Sequence, residues 1–393
     1  MRTRSRPRRR GRPRLRLLPA WISVALGWGL AAPPLVAAPR SGGPLARELA
    51  SDLMRRGADP AALVQLAGAP LSGGRVRGQA QLILERAAAG DTPVLSLSVA
   101  RGHGAADGPP LRLLLDTGAS STMITPEAAA RLGLRSEPLP PEAFALAAGG
   151  SGCAALAPRR ARLPDLILGG VGPDDGHLLL QGVEALVLPV AALPTGVDGV
   201  LGAPSLRRLP FLIDPATSRL LLGPVAIDAF MASPPRPPGL ATTARRMPLR
   251  VPLQWRHGVP VVRLMSAGAP VEALADTGAE GLFVSPSLAA RLEPAGLAQP
   301  LRLVGVCGEQ QVQRLRFRGL ALPGAISGRG GGPALGGGVG MPSRDVGPEV
   351  EGIVTDNPVF AGLAVEAIAG QEWLRHRLQL WRLDQDPPLL LLR

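Results

Sequence analysis

From about residue 76 the chain alternates short apolar runs with glycine- and proline-rich breaks: Val94–Val99, Leu111–Leu115, Leu178–Leu180, Ala185–Val190 and Leu220–Leu222. After a cluster of prolines the pattern resumes with Val259–Leu264, Val271–Ala275, Gln311–Phe317 and Leu389–Leu392. Runs of this length, bounded by turn formers, predict strands, and their spacing predicts an all-β fold. Ahead of them Leu45, Leu49, Leu53, Leu63 and Leu66 fall at roughly helical spacing around an Asp59-Pro60 break, which predicts a helical prelude over 39–75. Pro234, Pro235, Pro237 and Pro238 predict a stiff linker over 231–247, dividing an N-terminal lobe at 76–230 from a C-terminal lobe at 248–393.

The two lobes repeat. Residues 116–132 (DTGASSTMITPEAAARL) align without a gap on 276–292 (DTGAEGLFVSPSLAARL), an offset of 160 with nine identities in seventeen positions. Thr125-Pro126 and Ser285-Pro286 each supply an N-cap followed by proline at the first helical position, where its missing N–H is harmless. Each copy therefore predicts strand, acidic turn, strand, short helix. A second landmark follows each turn: Val200-Leu201-Gly202, ending 86 residues past Asp116, and Ile368-Ala369-Gly370, ending 94 past Asp276. Two apolar residues and a glycine let one strand pass closely under another backbone.

The formal charge of +13 suggests nucleic acid until it is located: nine arginines fall in the first sixteen residues, and without them 34 basic residues face 30 acidic ones. With aromatics at only 3%, no basic stripe interleaved with stacking residues remains, and nucleic acid is not an expected partner. Met1–Arg16 is basic, Leu17–Ala32 mostly apolar, and Val36-Ala37-Ala38 offers small residues before Pro39. That order predicts a secretory signal peptide over 1–38, with an uncleaved anchor as the alternative; membrane contact is expected only through this segment. The mature protein is then periplasmic or secreted, where Cys153 and Cys307 meet an oxidising environment.

The chain lacks lysine and tyrosine, which removes the P-loop and Schiff-base chemistries. His103, His177, His257 and His376 lack metal-ligand spacing, so no metal is expected, and the glycine-rich stretch 328–340 predicts a flexible insertion rather than a phosphate cradle. Two aspartates in matched turns suit a different chemistry. Brought within a few ångströms they cannot both ionise cheaply, so they share one proton and supply one base and one acid. Gly118 and Gly278 permit a tight turn beside each carboxylate, and Thr117 and Thr277 can bond across the axis relating the copies.

On these residues, Asp116-Thr117-Gly118-Ala119 and Asp276-Thr277-Gly278-Ala279 with the two apolar-apolar-Gly landmarks, the sequence resembles the retropepsin-like branch of the aspartic peptidases, tandem duplicated and of the bacterial exported type. The resemblance implies two pseudo-twofold-related retropepsin-like or pepsin-like β-barrel lobes with short helices, threonines locking the two turns together, and β-hairpin flaps over the cleft. Candidate flap turns are Gly149-Gly150-Ser151-Gly152 and Gly305-Val306-Cys307-Gly308. Cys153 and Cys307, 37 and 31 residues past their aspartates, sit beside them, which allows a disulfide between flaps or, alternatively, two unrelated small core residues.

The sequence thus predicts an aspartic endopeptidase, a hydrolase in which Asp116 and Asp276 flank the attacking water, without cofactor, acting on an extended polypeptide and monomeric; pairing of each half with another chain stays open. The competing expectation is a catalytically inactive peptide-binding or envelope scaffold of the same fold. It draws on Glu280, which puts a negative charge where the family has a small polar residue, and on Ala369, smaller than the usual branched residue.

Overall fold

The strand–acidic turn–strand–helix unit is built twice in the computed structural model, which describes residues 58–393 except 60, 89, 102–103, 106–107, 151, 170–175, 234–246 and 323–348. In the first copy Leu111–Leu115 leads into Asp116 and Thr122–Ile124 leads out to helix Pro126–Arg131. In the second, Ala269–Ala275 leads into Asp276 and Leu282–Val284 out to helix Pro286–Ala289. Thr125 Oγ1 accepts from Ala128 N–H and Ser285 Oγ from Leu288 N–H, so both helices start on the caps their sequences supply.

The apolar-apolar-Gly landmarks complete each unit. Strand Gly199–Leu201 runs parallel to Leu111–Leu115 and antiparallel to Thr122–Ile124; Ala367–Ala369 does the same between Ala269–Ala275 and Leu282–Val284. A strand flanked on both sides is apolar throughout, which explains its composition. At its end the chain passes so close under the turn that only glycine fits: a Cβ on Gly202 would stand 2.6 Å from Ser121 O, and one on Gly370 2.4 Å from both Ala279 O and Gly281 O.

The fold is all-β with few short helices, and its two lobes share one sheet. Its order is Leu249–Arg256, Leu389–Leu392, Gln379–Arg382, Phe211–Asp214, Arg219–Leu222, Ala80–Ile83, three strands from each half. At the seam Phe211 pairs with Trp381, both fully buried, their rings stacked at a centroid distance of 5.7 Å. Trp381 Nε1 donates to Gln379 Oε1 (3.1 Å), so the indole is buried without an unsatisfied donor. In the first lobe Leu178–Leu180 and the start of the predicted 185–190 run belong to one strand, His177–Val187, which turns at Gly182 (φ 69°) to serve two sets of partners.

The predicted helical prelude is corrected: where 39–75 is described, it is extended, as Ala58–Asp59, Ala62–Leu66 and the start of Gly73–Gly78. Ala61, Ala62 and Leu63 are all buried because the segment has a lobe on either side, so no polar face imposes the alternation by which a strand is recognised. Pairing overrides the leucine spacing: Ala62–Leu66 lies antiparallel to Phe144–Ala148, and Ala58–Asp59 parallel to Gln299–Gly305. The predicted signal at 1–38, the prelude before residue 58, most of the linker and the 328–340 stretch lie outside the described residues; residues 231–232 close helix Pro224–Ala232.

Because the shared sheet joins the lobes through Phe211 and Trp381, Trp381→Ala is expected to lower the unfolding free energy by about 3–5 kcal/mol. Urea titration checks this, and Trp381→Phe, which keeps a ring in the stack, is expected to lose less.

Candidate active site

The two acidic turns face each other, and both aspartates have no exposed surface. Gly118 N–H donates to Asp116 Oδ1 (2.8 Å) and to Asp276 Oδ1 (3.1 Å), so one donor serves both carboxylates. Ala119 N–H adds a bond to Asp116 Oδ1 (2.9 Å), and Gly278 N–H one to Asp276 Oδ1 (2.7 Å). The glycines are what allow this approach: a Cβ on Gly118 would stand 2.2 Å from Asp276 Oδ2, and one on Gly278 2.4 Å from Asp116 Cγ. Below them the threonines cross. Thr117 Oγ1 donates to Ala275 O (2.8 Å) and accepts from Thr277 N–H (3.0 Å); Thr277 Oγ1 donates to Leu115 O (2.6 Å) and accepts from Thr117 N–H (3.1 Å). Gln371 Nε2, just past the second landmark, ties down Thr277 O (3.0 Å).

Asp116 Oδ2 and Asp276 Oδ2 are buried and meet no donor among the described residues, so a proton between the two carboxyl groups supplies the missing partner. Loss of water raises the pKa of both. Asp116 is held well above the ordinary carboxylate range, because the adjacent Asp276 charge adds to burial, while the Ala119 and Gly118 N–H groups pull the other way. Asp276 rises too, with burial opposed by the N–H groups of Gly278, Gly118 and Ala279 and by Asp116 itself. The two carboxyls therefore titrate as a coupled pair, with proton release delayed above the ordinary carboxylate range. Among the described residues no group of three His, Cys, Asp or Glu could hold a metal.

Glu280, which the sequence marks as a negative charge in the second acidic turn, is engaged by the first lobe. Its carboxylate accepts from Asp91 N–H (2.7 Å), Thr92 N–H (3.0 Å) and Thr92 Oγ1 (2.5 Å), a clip onto the first lobe. The aligned residue, Ser120, holds something else: its N–H donates to Ala62 O (2.9 Å) and its Oγ accepts from Val64 N–H (2.7 Å). The turn that ends in Thr92 is long, whereas its counterpart is the tight His257-Gly258 turn, φ 46° and 83°, whose flanking Arg256 and Val259 pair with each other. Neither Ser120 nor the Ala62–Leu66 strand stood out in the sequence; a serine in place of Glu280 in the repeat was the one available signal.

The candidate flap turns of the two lobes meet each other. Gly305 and Gly308 do close a hairpin, between Gln299–Gly305 and Gly308–Arg318, but Gly149, Gly150 and Gly152 do not. Strand Phe144–Ala148 pairs with Ala62–Leu66 instead of its own return, because residues 153–155 form a 3₁₀ turn. Cys307 N–H donates to Gly149 O (2.9 Å), Gly152 N–H donates to Cys307 O (2.8 Å), and Cys153 and Cys307 form a disulfide. A Cβ on Gly305 would lie 2.3 Å from Gly149 O, so the contact is backbone against backbone.

A carboxyl whose folded pKa is raised keeps a proton that the unfolded chain has lost. Its contribution is favourable below the ordinary Asp range and is lost as pH rises toward the raised value. Asp116→Asn, uncharged throughout, is expected to be more stable than the natural protein near pH 8 by on the order of 2 kcal/mol, with the difference vanishing near about pH 3. Urea midpoints across that range decide it; a gap independent of pH refutes the shared proton.

The sequence profile of a family described as aspartyl protease matches residues 103–205 and 262–328, one stretch around each acidic turn. Among solved structures, conglutin gamma, a basic 7S globulin from lupine seeds, is 10% identical, with 85% of this chain and 95% of that one covered at a TM-score of 0.40. Basic 7S globulin from soybean is 11% identical, with 82% and 95% covered at a TM-score of 0.39. No curated protein matches. The aspartyl protease family's segment is thus matched twice, each copy carrying Asp-Thr-Gly, consistent with a tandem duplication of a retropepsin-like unit.

Proposed function

We propose that this protein is an aspartic endopeptidase whose Asp116 and Asp276 act as one acid–base pair on a single chain. The observation that carries the reading is the Gly118 N–H shared by both carboxylates, which joins two buried acids at one point. Charged Asp276 takes a proton from the attacking water while protonated Asp116 gives its own to the scissile carbonyl oxygen. The tetrahedral diol that results then breaks its C–N bond as a proton passes to the leaving amine. The threonine crossing fixes the spacing, and burial keeps the proton on the pair near neutral pH. The Cys153–Cys307 disulfide suits the exported, oxidising setting that the basic and apolar N-terminus suggests.

The dyad's complete burial favours a second reading, a peptide-binding scaffold without catalysis. Incubation with a denatured protein mixture from acidic to neutral pH separates the two. Asp116→Asn and Asp276→Asn are each expected to lower cleavage by at least about a hundredfold. The rate is expected to be bell-shaped in pH, with its alkaline limb above the usual carboxylate range because the Asp116 proton is held tightly. Cleavage equal in all three proteins, or in none, leaves the scaffold.

A further inference from the structure

The covering of the dyad comes from the chain itself. Ala62–Leu66 runs antiparallel to Phe144–Ala148 of the first-lobe loop, and Ala58–Asp59 just before it parallel to Gln299–Gly305 of the second-lobe hairpin. Opposite senses are what one strand must show when it crosses an axis relating two similar loops. Its side chains also alternate between the lobes. Ala61 and Leu63 join the second-lobe cluster with Phe283, Ile353 and Phe360, whereas Ala62 packs with Ala119, Met123 and Ala148 of the first. Its backbone bonds to the loop that follows Asp116 through Ala62 O and Val64 N–H on Ser120, and Ala67 N–H donates to Ala143 O (3.0 Å). An ordinary core strand has a sheet on its edges; this one has a catalytic loop on one edge and a loop joined to the opposite lobe by Cys153–Cys307 on the other.

We infer that Ala61–Leu66 is the groove's resident, substrate-like occupant, and that the groove is selective for extended peptides with alanine-sized residues beside the dyad and leucine against Gly362. The inference rests on reading this groove as the peptide site. The size limits are visible: Ala61 and Ala62 have no exposed surface, and a Cβ on Gly362 would stand 3.0 Å from Leu63 Cδ1. A larger residue at 362 therefore narrows the leucine position, which makes Gly362 a specificity-determining residue. The same occupancy blocks the site to any other polypeptide until the strand leaves.

Hydrogen exchange on the unsubstituted full chain gives the first test. Amides of 62–67 are expected to exchange at least a hundredfold more slowly than in an unstructured peptide, and fast exchange there overturns the inference. The second test uses full-length Asp116→Asn protein, so that binding is read apart from cleavage. In it Ala62→Asp with Val64→Asp forces two charges into the first-lobe cluster and displaces the strand. A labelled peptide of residues 58–67 is expected to bind this protein at least tenfold more tightly than Asp116→Asn alone, by fluorescence anisotropy. Leucine-to-aspartate exchange at its sixth position is expected to cost at least tenfold, and Gly362→Val to prefer the peptide with alanine there. Protection at Leu111–Leu115 certifies the fold; if the double substitution removes it, Leu63→Ala takes its place. A folded variant that binds no peptide, or binds all peptides alike, refutes the inference. Binding without any cleavage when Asp116 is restored refutes the peptidase reading alone.

Discussion

Everything in this molecule is arranged around the difficulty of holding two like charges in a dry place. Asp116 and Asp276 come together because backbone N–H groups of the opposing turns, and the crossed hydroxyls of Thr117 and Thr277, bind the loops at distances from 2.6 to 3.1 Å. Fixed dipoles of this kind need not reorganise when charge moves, which is why they outperform water at the same task. The glycines, the buried landmark strands and the shared sheet all set the position of this pair. A buried carboxyl pair whose pKa values are raised is a cost in stability above the ordinary Asp range.

What the sequence revealed follows from how strongly each position is constrained. Gly202 and Gly370 were legible because any side chain there would meet backbone oxygen, and Thr125 and Ser285 because a cap satisfies otherwise unpaired N–H groups. The strands Ala58–Asp59 and Ala62–Leu66 were not legible. Their partners lie some eighty and two hundred and forty residues away, and burial of Ala61, Ala62 and Leu63 in succession erased the period-two signal there. The first flap was misjudged as a hairpin for the same reason, since its pairing partner comes from upstream. The partners of Glu280 were not legible either, because nothing local to it announces that Asp91 and Thr92 wait across the interface to receive it.

The cysteines link local and global order. Cys153 and Cys307 are 154 residues apart, and their bond joins loops from different lobes at the point where Gly149 and Gly305 already touch. Entropy removed from so long a loop in the unfolded chain is among the larger contributions a single disulfide makes, typically about 2–4 kcal/mol. Here it also fixes the 149–153 loop of the first lobe against the 305–308 turn of the second.

The unequal pair Ser120 and Glu280 shows that the two halves have specialised since they diverged. Glu280 is committed to the long turn ending in Thr92, while the tight His257-Gly258 turn is too short to make the reciprocal reach, leaving Ser120 to an incoming main chain. The two acidic turns are thus anchored by different parts of the chain, one by an incoming main chain and the other by a carboxylate clip.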